Sequence, residues 1–121
     1  MIITLRIPTS CNPNGSHGNR YAKSRERKAE RQAAHIEARG ALGRGPAPKW
    51  ASGTLRVTWF ARHPTHLPDE DNADSRIKPY RDGLVDAGWF VTDKKITMDY
   101  VAVIGSPRVM IEAVGPNGET E

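Results

Sequence analysis

Between Arg20 and Leu42 the chain runs without proline, and without glycine before Gly40, in a composition of Ala, Arg, Glu and Lys that predicts one long helix. The flanks of this run do not suit a helix. Before it, "MIITLRI" is β-branched and closed by Pro8, then gives way to a loop rich in Asn, Ser and Gly; after it, "GRGPAPKWASG" is a Gly/Pro connection. A helix bounded in this way has to cover a sheet built from the remaining segments. Its small apolar residues Ala22, Ala29, Ala33 and Ile36 are spaced to share one face and are expected to point inward.

The remaining segments supply that sheet. In "TLRVTWFAR", Leu55, Val57, Trp59 and Ala61 alternate with Thr54, Arg56, Thr58 and Phe60, the period of a strand with one buried face. Ile77, Tyr80, Leu84 and Ala87 then recur at helical spacing, with Pro79 in the first turn and Gly88 as the stop. The runs "ITMDYVAVI" and "RVMIEAV", separated by Gly-Ser-Pro, predict an antiparallel hairpin. The order β-α-β-α-β-β predicts an α/β fold over residues 1–121: a single small domain, a mixed sheet, two main helices and no internal repeat.

At 121 residues the chain suffices for one modest core. Its single cysteine, Cys11, excludes an internal disulfide and a Cys-rich zinc site and fits a reducing compartment, so the cytoplasm is the expected location. No segment approaches the roughly 18 apolar residues of a membrane span, and no membrane partner is expected. The 18 Lys and Arg exceed the 14 Asp and Glu, for a net charge of +4. Residues 20–44 hold eight of the bases (Arg20, Lys23, Arg25, Arg27, Lys28, Arg31, Arg39, Arg44) against three acids (Glu26, Glu30, Glu37), a local excess larger than that of the whole chain. Such a helix suits a polyanionic partner.

Against this basic background, "PDEDNADSRIK" gathers four acids (Asp69, Glu70, Asp71, Asp74) into six positions. Asp69 and Asp71, read as lying on an extended or turning segment after a strand, can turn to one side and offer the oxygen ligands preferred by Mg²⁺ or Mn²⁺. A third acid, Asp93, is expected to return beside them after the intervening helix. A calcium loop of the EF-hand type is excluded, because Ala73 and Asp74 stand where an acid or amide and a glycine are required. A solvated acidic turn remains open. Lys78 follows the acids and is spaced to pair with Asp82; beside a phosphate it would neutralise developing charge. His63 and His66, with Pro64 between them and no cysteine partner, point to a loop rather than zinc. Trp59 belongs to the buried face of its strand, and Trp89 and Phe90 read as packing or dimer contacts. Asn14 and Asn19 either touch a nucleic acid or shape turns.

Taken together, "DEDNADSRIKPYRDGLVDAGWFVTDKKI" resembles the RusA family of Holliday junction resolvases. The matching features are the D-x-D-N turn (Asp69, Asp71, Asn72), Lys78-Pro79 followed by Asp82 and Leu84, Gly88 before Trp89 and Phe90, and Asp93 before a hydrophobic strand. The opening "IPTSCNPNGSHGNRYAKS" is also similar, and with the same order of elements the resemblance covers nearly the whole chain. It implies a homodimeric, Mg²⁺-dependent endonuclease that nicks four-way DNA junctions in pairs during recombination and repair, from a family whose members are frequent in phages and prophages. Carried over residue by residue, the catalytic set is Asp69, Asp71, Asp93 and Lys78, with the three aspartates holding the metal. Phosphate contacts are expected from Arg20, Lys23, Arg25, Arg27, Lys28, Arg31, Lys94 and Lys95. Two features depart from the family pattern. The family places its lysine closer to the second aspartate, as D-N-L-x-K, whereas here "ADS" stands as an apparent insertion, which leaves Arg76 as a substitute base and Asp74 as an extra carboxylate or helix cap. The family also commonly pairs acids at the third site, where this chain has Thr92-Asp93. Two other readings are a non-catalytic basic DNA-binding module and a metal-dependent nuclease acting on flaps or single strands.

Overall fold

A computed structural model describes residues 1–11 and 20–118; residues 12–19 and 119–121, and the side chains of Arg20 and Tyr21, lie outside that description, and with them Asn14 and Asn19. The elements run β1 (Ile2–Leu5), α1 (Arg20–Leu42), β2 (Gly53–Ala61), α2 (Glu70–Arg76), α3 (Lys78–Asp86), β3 (Ile96–Ile104) and β4 (Arg108–Val114). They form a small α/β domain whose four-stranded mixed sheet has the order β1-β4-β2-β3.

The predicted hairpin does not form. β3 pairs parallel to β2, from Gly53 opposite Ile96 to Ala61 opposite Ile104, while β4 pairs antiparallel to the other edge of β2, from Thr54 opposite Val114 to Phe60 opposite Arg108. The link between β3 and β4 therefore passes over the end of β2, where the Gly105 N–H donates to the Ala61 carbonyl at 2.8 Å. The two central strands bury one face each: Leu55, Val57 and Trp59 on β2, and Val109, Ile111 and Ala113 on β4. β3, with Asp99 and several exposed positions, is left at an edge where its charge meets water.

One face of the sheet is covered by α1 and α3. The inward face of α1 differs from the expected one: Ala34 and Ala38 are fully buried, whereas Ala22 and Ala29 are exposed and Ile36 is 59% exposed. The helix is turned by Glu30, which shares the inward face with Ala34 and Ala38 and has its carboxylate satisfied by hydrogen bonds from Thr9 and Ser10. Small residues then allow close helix contact. A Cβ built on Gly83 of α3 would lie 2.5 Å from the Arg31 carbonyl oxygen and 2.7 Å from the Ala34 Cβ. Ile77, Tyr80 and Leu84 fill the space between this helix pair and the sheet, as their spacing predicted.

The three tryptophans are core residues. Trp59 and Trp89 are almost completely buried, and Trp50 packs against Trp89 and Phe90 at ring separations of 5.7 and 5.6 Å. The Trp89 indole N–H donates to the Ala38 carbonyl at 2.8 Å. Burying an aromatic of this size is worth about 4–6 kcal/mol, from some 150–250 Å² at ~25 cal/mol per Å². Stacking on a base returns only about 1–3 kcal/mol, so none of the three would leave the core to do so. Trp89 and Phe90 accordingly pack within this chain. Among the described residues no helix is long and apolar enough to cross a membrane.

The close approach at Gly83 is testable. In an open helix Gly→Ala would gain about 1 kcal/mol of propensity. Here the obstructing atoms are backbone or Cβ and cannot swing away, so Gly83→Ala is expected to destabilise the fold by about 2 kcal/mol in urea unfolding.

Candidate functional site

The acidic segment is a helix rather than the expected turn. Asp69 is the N-cap of α2: its carboxylate accepts the Asn72 N–H at 2.8 Å, and Glu70 and Asp71 occupy the first turn, where the helix dipole favours negative charge. Pro79 supplies no N–H to continue the ladder, so α2 gives way at Ile77 to α3, which begins at Lys78. Asp74 lies inside α2 and pairs with Arg81; it is neither a cap nor a neighbour of Asp69 in the cap. The entry to α2 is fixed from the sheet, since the Tyr100 hydroxyl of β3 donates to the Pro68 carbonyl at 2.6 Å. Burial raises the pKa of Tyr100, keeping the phenol protonated for that bond.

Lys78 and Asp93, fifteen positions apart, meet at 3.4 Å between Nζ and Oδ2. The Lys78 ammonium also lies 3.9 Å from Asp82, the partner expected from helical spacing. Both groups of the Lys78–Asp93 pair reach solvent, at 56% and 34% side-chain exposure, so a ligand can approach them.

Arg76 does not substitute for Lys78. It is half-buried, its guanidinium donates twice to the Pro8 carbonyl at 2.9 and 3.3 Å, and it lies over the Trp59 ring at 4.7 Å from the centroid. Its task is to fasten α2 to the segment leaving β1.

The all-oxygen donor set of Asp69, Asp71 and Asp93 has the chemistry of a hard-cation site, but its members are not gathered into a cage. Among the described residues no group of three or more His, Cys, Asp or Glu side chains is arranged to hold a metal ion. Asp69 is engaged at the helix cap and Asp93 with Lys78. Two carboxylates at the start of α2 still suit Mg²⁺, which commonly takes one or two protein ligands and completes its shell with water and substrate phosphate. His63 precedes and His66 ends a short 3₁₀ turn, Pro64–His66, with their rings edge to face at 5.7 Å.

Of the expected phosphate contacts, Arg25, Arg27, Lys28, Lys94 and Lys95 are exposed and Lys23 is partly so. The Arg20 side chain lies outside the described residues. Arg31 is already engaged: it grips Asp86 of α3 with two hydrogen bonds of 2.6 and 2.7 Å, which hold the Asp86 carboxyl below its usual range.

Sequence reasoning missed the residues that position this site. Glu30, counted only as one acid of a basic helix, has a side chain with no solvent exposure and accepts hydrogen bonds from the Thr9 and Ser10 N–H groups, at 2.8 and 3.3 Å, and from the Ser10 hydroxyl. The buried Tyr80 hydroxyl, its pKa pushed up to about 12 by burial, donates to the Arg6 carbonyl at 2.7 Å. A signal was present in the i, i+4 series Glu30, Ala34, Ala38, which places an acid on an otherwise small-residue stripe. Compared with models of protein families and with curated proteins, the chain matches none.

The two basic residues of the segment should separate cleanly. Arg76→Ala loses a charge-assisted pair of hydrogen bonds and an aromatic contact, and is expected to cost about 2–3 kcal/mol in urea unfolding. Lys78→Ala, which removes an exposed ion pair, should change stability by less than about 1 kcal/mol.

Proposed function

We propose that this chain is a Mg²⁺-dependent, structure-selective endodeoxyribonuclease that resolves four-way DNA junctions by paired nicks in recombination and repair, working as a homodimer. The observation that carries this reading is the solvent-reaching contact of Lys78 with Asp93, on the helix that directly follows the acid-capped α2. The resemblance to RusA resolvases assigns catalytic roles to these same residues.

In this reading Lys78 donates to a non-bridging oxygen of the scissile phosphate and stabilises the charge that grows there. Asp93 and Asp82 hold its ammonium in place. Asp69 and Asp71 would hold Mg²⁺ together with that phosphate, and the ion would supply further charge stabilisation. Lys94 and Lys95, next to Asp93 in sequence, and the exposed bases of α1 contact flanking phosphates and offset the repulsion between DNA and the acids. A two-fold dimer presents two equivalent sites to the symmetry-related strands of a junction.

The separation of the carboxylates favours one other reading, a non-catalytic DNA-binding module in which α1 binds the backbone and the acids only build α2. One experiment decides between them: cleavage of an end-labelled four-way junction, beside a linear duplex and a flap of matching sequence, with Mg²⁺ or EDTA. Metal-dependent paired nicks on the junction alone are expected, and Asp71→Asn should lower their rate at least about 100-fold while sparing binding. Binding with no cutting in Mg²⁺ or Mn²⁺ would overturn the nuclease reading in favour of the module. Lys94→Ala and Lys95→Ala should each reduce the slope of log affinity against log salt by about 1.

A further inference from the structure

A cavity of about 300 Å³ opens at the C-terminal end of β2. Its walls are apolar, from Ile7, Trp59, Phe60 and Pro107, and Arg62, His63, His66 and Arg76 also line it; among the described residues no carboxylate does. Arg76 lies over the Trp59 ring at 4.7 Å and Arg108 over the Phe60 ring at 3.7 Å from the centroid, so each ring carries a guanidinium over one face.

This combination selects a class of ligand. A purely apolar ligand would leave the cationic groups without a counterpart, and a simple anion would leave the apolar walls bare. A planar heteroaromatic ring attached to a phosphate satisfies both, by contact with the apolar lining and with guanidinium planes and by charge. The volume lies at the small end of the range for small-molecule sites, of the order of 300–1,000 Å³, and suits one such ring.

The cavity is also tethered to the acids. His66 precedes Asp69 by three residues, which span at most about 10 Å. On the other side Arg76, at the cavity, closes the seven-residue α2 whose cap is Asp69, again about 10 Å. That separation corresponds to about three stacked nucleotides of one strand, at ~3.4 Å each, and to fewer when the strand is extended.

We propose that this cavity receives one unstacked nucleobase from the same DNA strand whose phosphate lies at Asp69 and Asp71. The inference rests on the DNA-directed reading above and adds to it a base-binding site beside the cleavage position. An unpaired or loosely stacked base at a branch point is the cheapest to extract, so the cavity selects for branches over uniform duplex.

The test uses four-way junctions carrying 2-aminopurine at successive positions around the branch, bound by the Asp71→Asn protein so that the DNA stays uncut. A severalfold rise in fluorescence at one position is expected on binding. Pro107→Trp, which fills the cavity from an exposed link, and Arg62→Glu, which reverses a charge of its lining, should each remove that rise without shifting the urea midpoint. Binding without a rise at any position overturns the inference, as does a rise that both variants leave unchanged. Wild-type cleavage of the same junctions separates the two claims: cutting without a rise leaves the nuclease reading standing and the base site refuted, and a variant-sensitive rise without cutting supports the base site alone. Absence of junction binding in gel shift refutes both.

Discussion

A carboxylate with no solvent exposure is the constraint on which the arrangement of this molecule depends. Removing the Glu30 charge from water costs several kcal/mol unless donors replace the lost hydration. Here the Thr9 and Ser10 N–H groups and the Ser10 hydroxyl do so, with the Arg6 guanidinium at 4.0 Å. The segment leaving β1 is therefore obliged to lie against α1. Two further side chains use its carbonyls, Tyr80 of α3 at Arg6 and Arg76 of α2 at Pro8. All three helices are thus fastened to one short stretch of backbone, and each bond satisfies a polar group that burial would otherwise penalise.

The consequence for the candidate site is a division between groups that position and groups that act. Buried or half-buried side chains, Glu30, Arg76, Tyr80 and Tyr100, determine where α2 and α3 stand relative to the sheet. The exposed Asp71 and Lys78 and the partly exposed Asp82 contribute little to stability because water competes for their contacts, and Asp69 contributes only as the cap of α2. Their chemistry can change at small cost to the fold, whereas a change at Glu30 would release the segment to which every helix is tied.

Much of the architecture was legible because it is written locally. The alternation from Thr54 to Ala61 and the spacing of Ile77, Tyr80, Leu84 and Ala87 each specify an element and its buried face without outside information, and the proline-free run of α1 specifies the helix. The pairing of Lys78 with Asp82 was legible for the same reason. What escaped depends on partners distant in sequence. The inward face of α1 could not be read from hydrophobicity, because Glu30 looks like a surface residue until Thr9 and Ser10 are seen to satisfy it. The β3-β4 hairpin was the natural reading of a three-residue link, but β3 pairs parallel with β2 and β4 with its other edge, a choice of partners that no single segment encodes. Asp69 was read for its charge, yet Asp69 with Asn72 three residues on, followed by acids in the first turn, is also the signature of a helix start.

Charge balance then distinguishes among the acids themselves. Between residues 69 and 93 the chain carries seven carboxylates, and most have a compensating group: the Asn72 N–H at the start of α2 for Asp69, Arg81 for Asp74, Lys78 for Asp82 and Asp93, and Arg31 for Asp86. Among the described residues Glu70 and Asp71 have only the helix dipole, a weak and solvent-screened source of support. The fold thus supports most of these acids with groups of its own. Under the proposed reading Asp71, beside the capping Asp69 and without an ion-pair partner among the described residues, is where a hard cation gains most. The acids were conspicuous in sequence because they crowd together, and they become informative in structure because all but two of them are already spoken for.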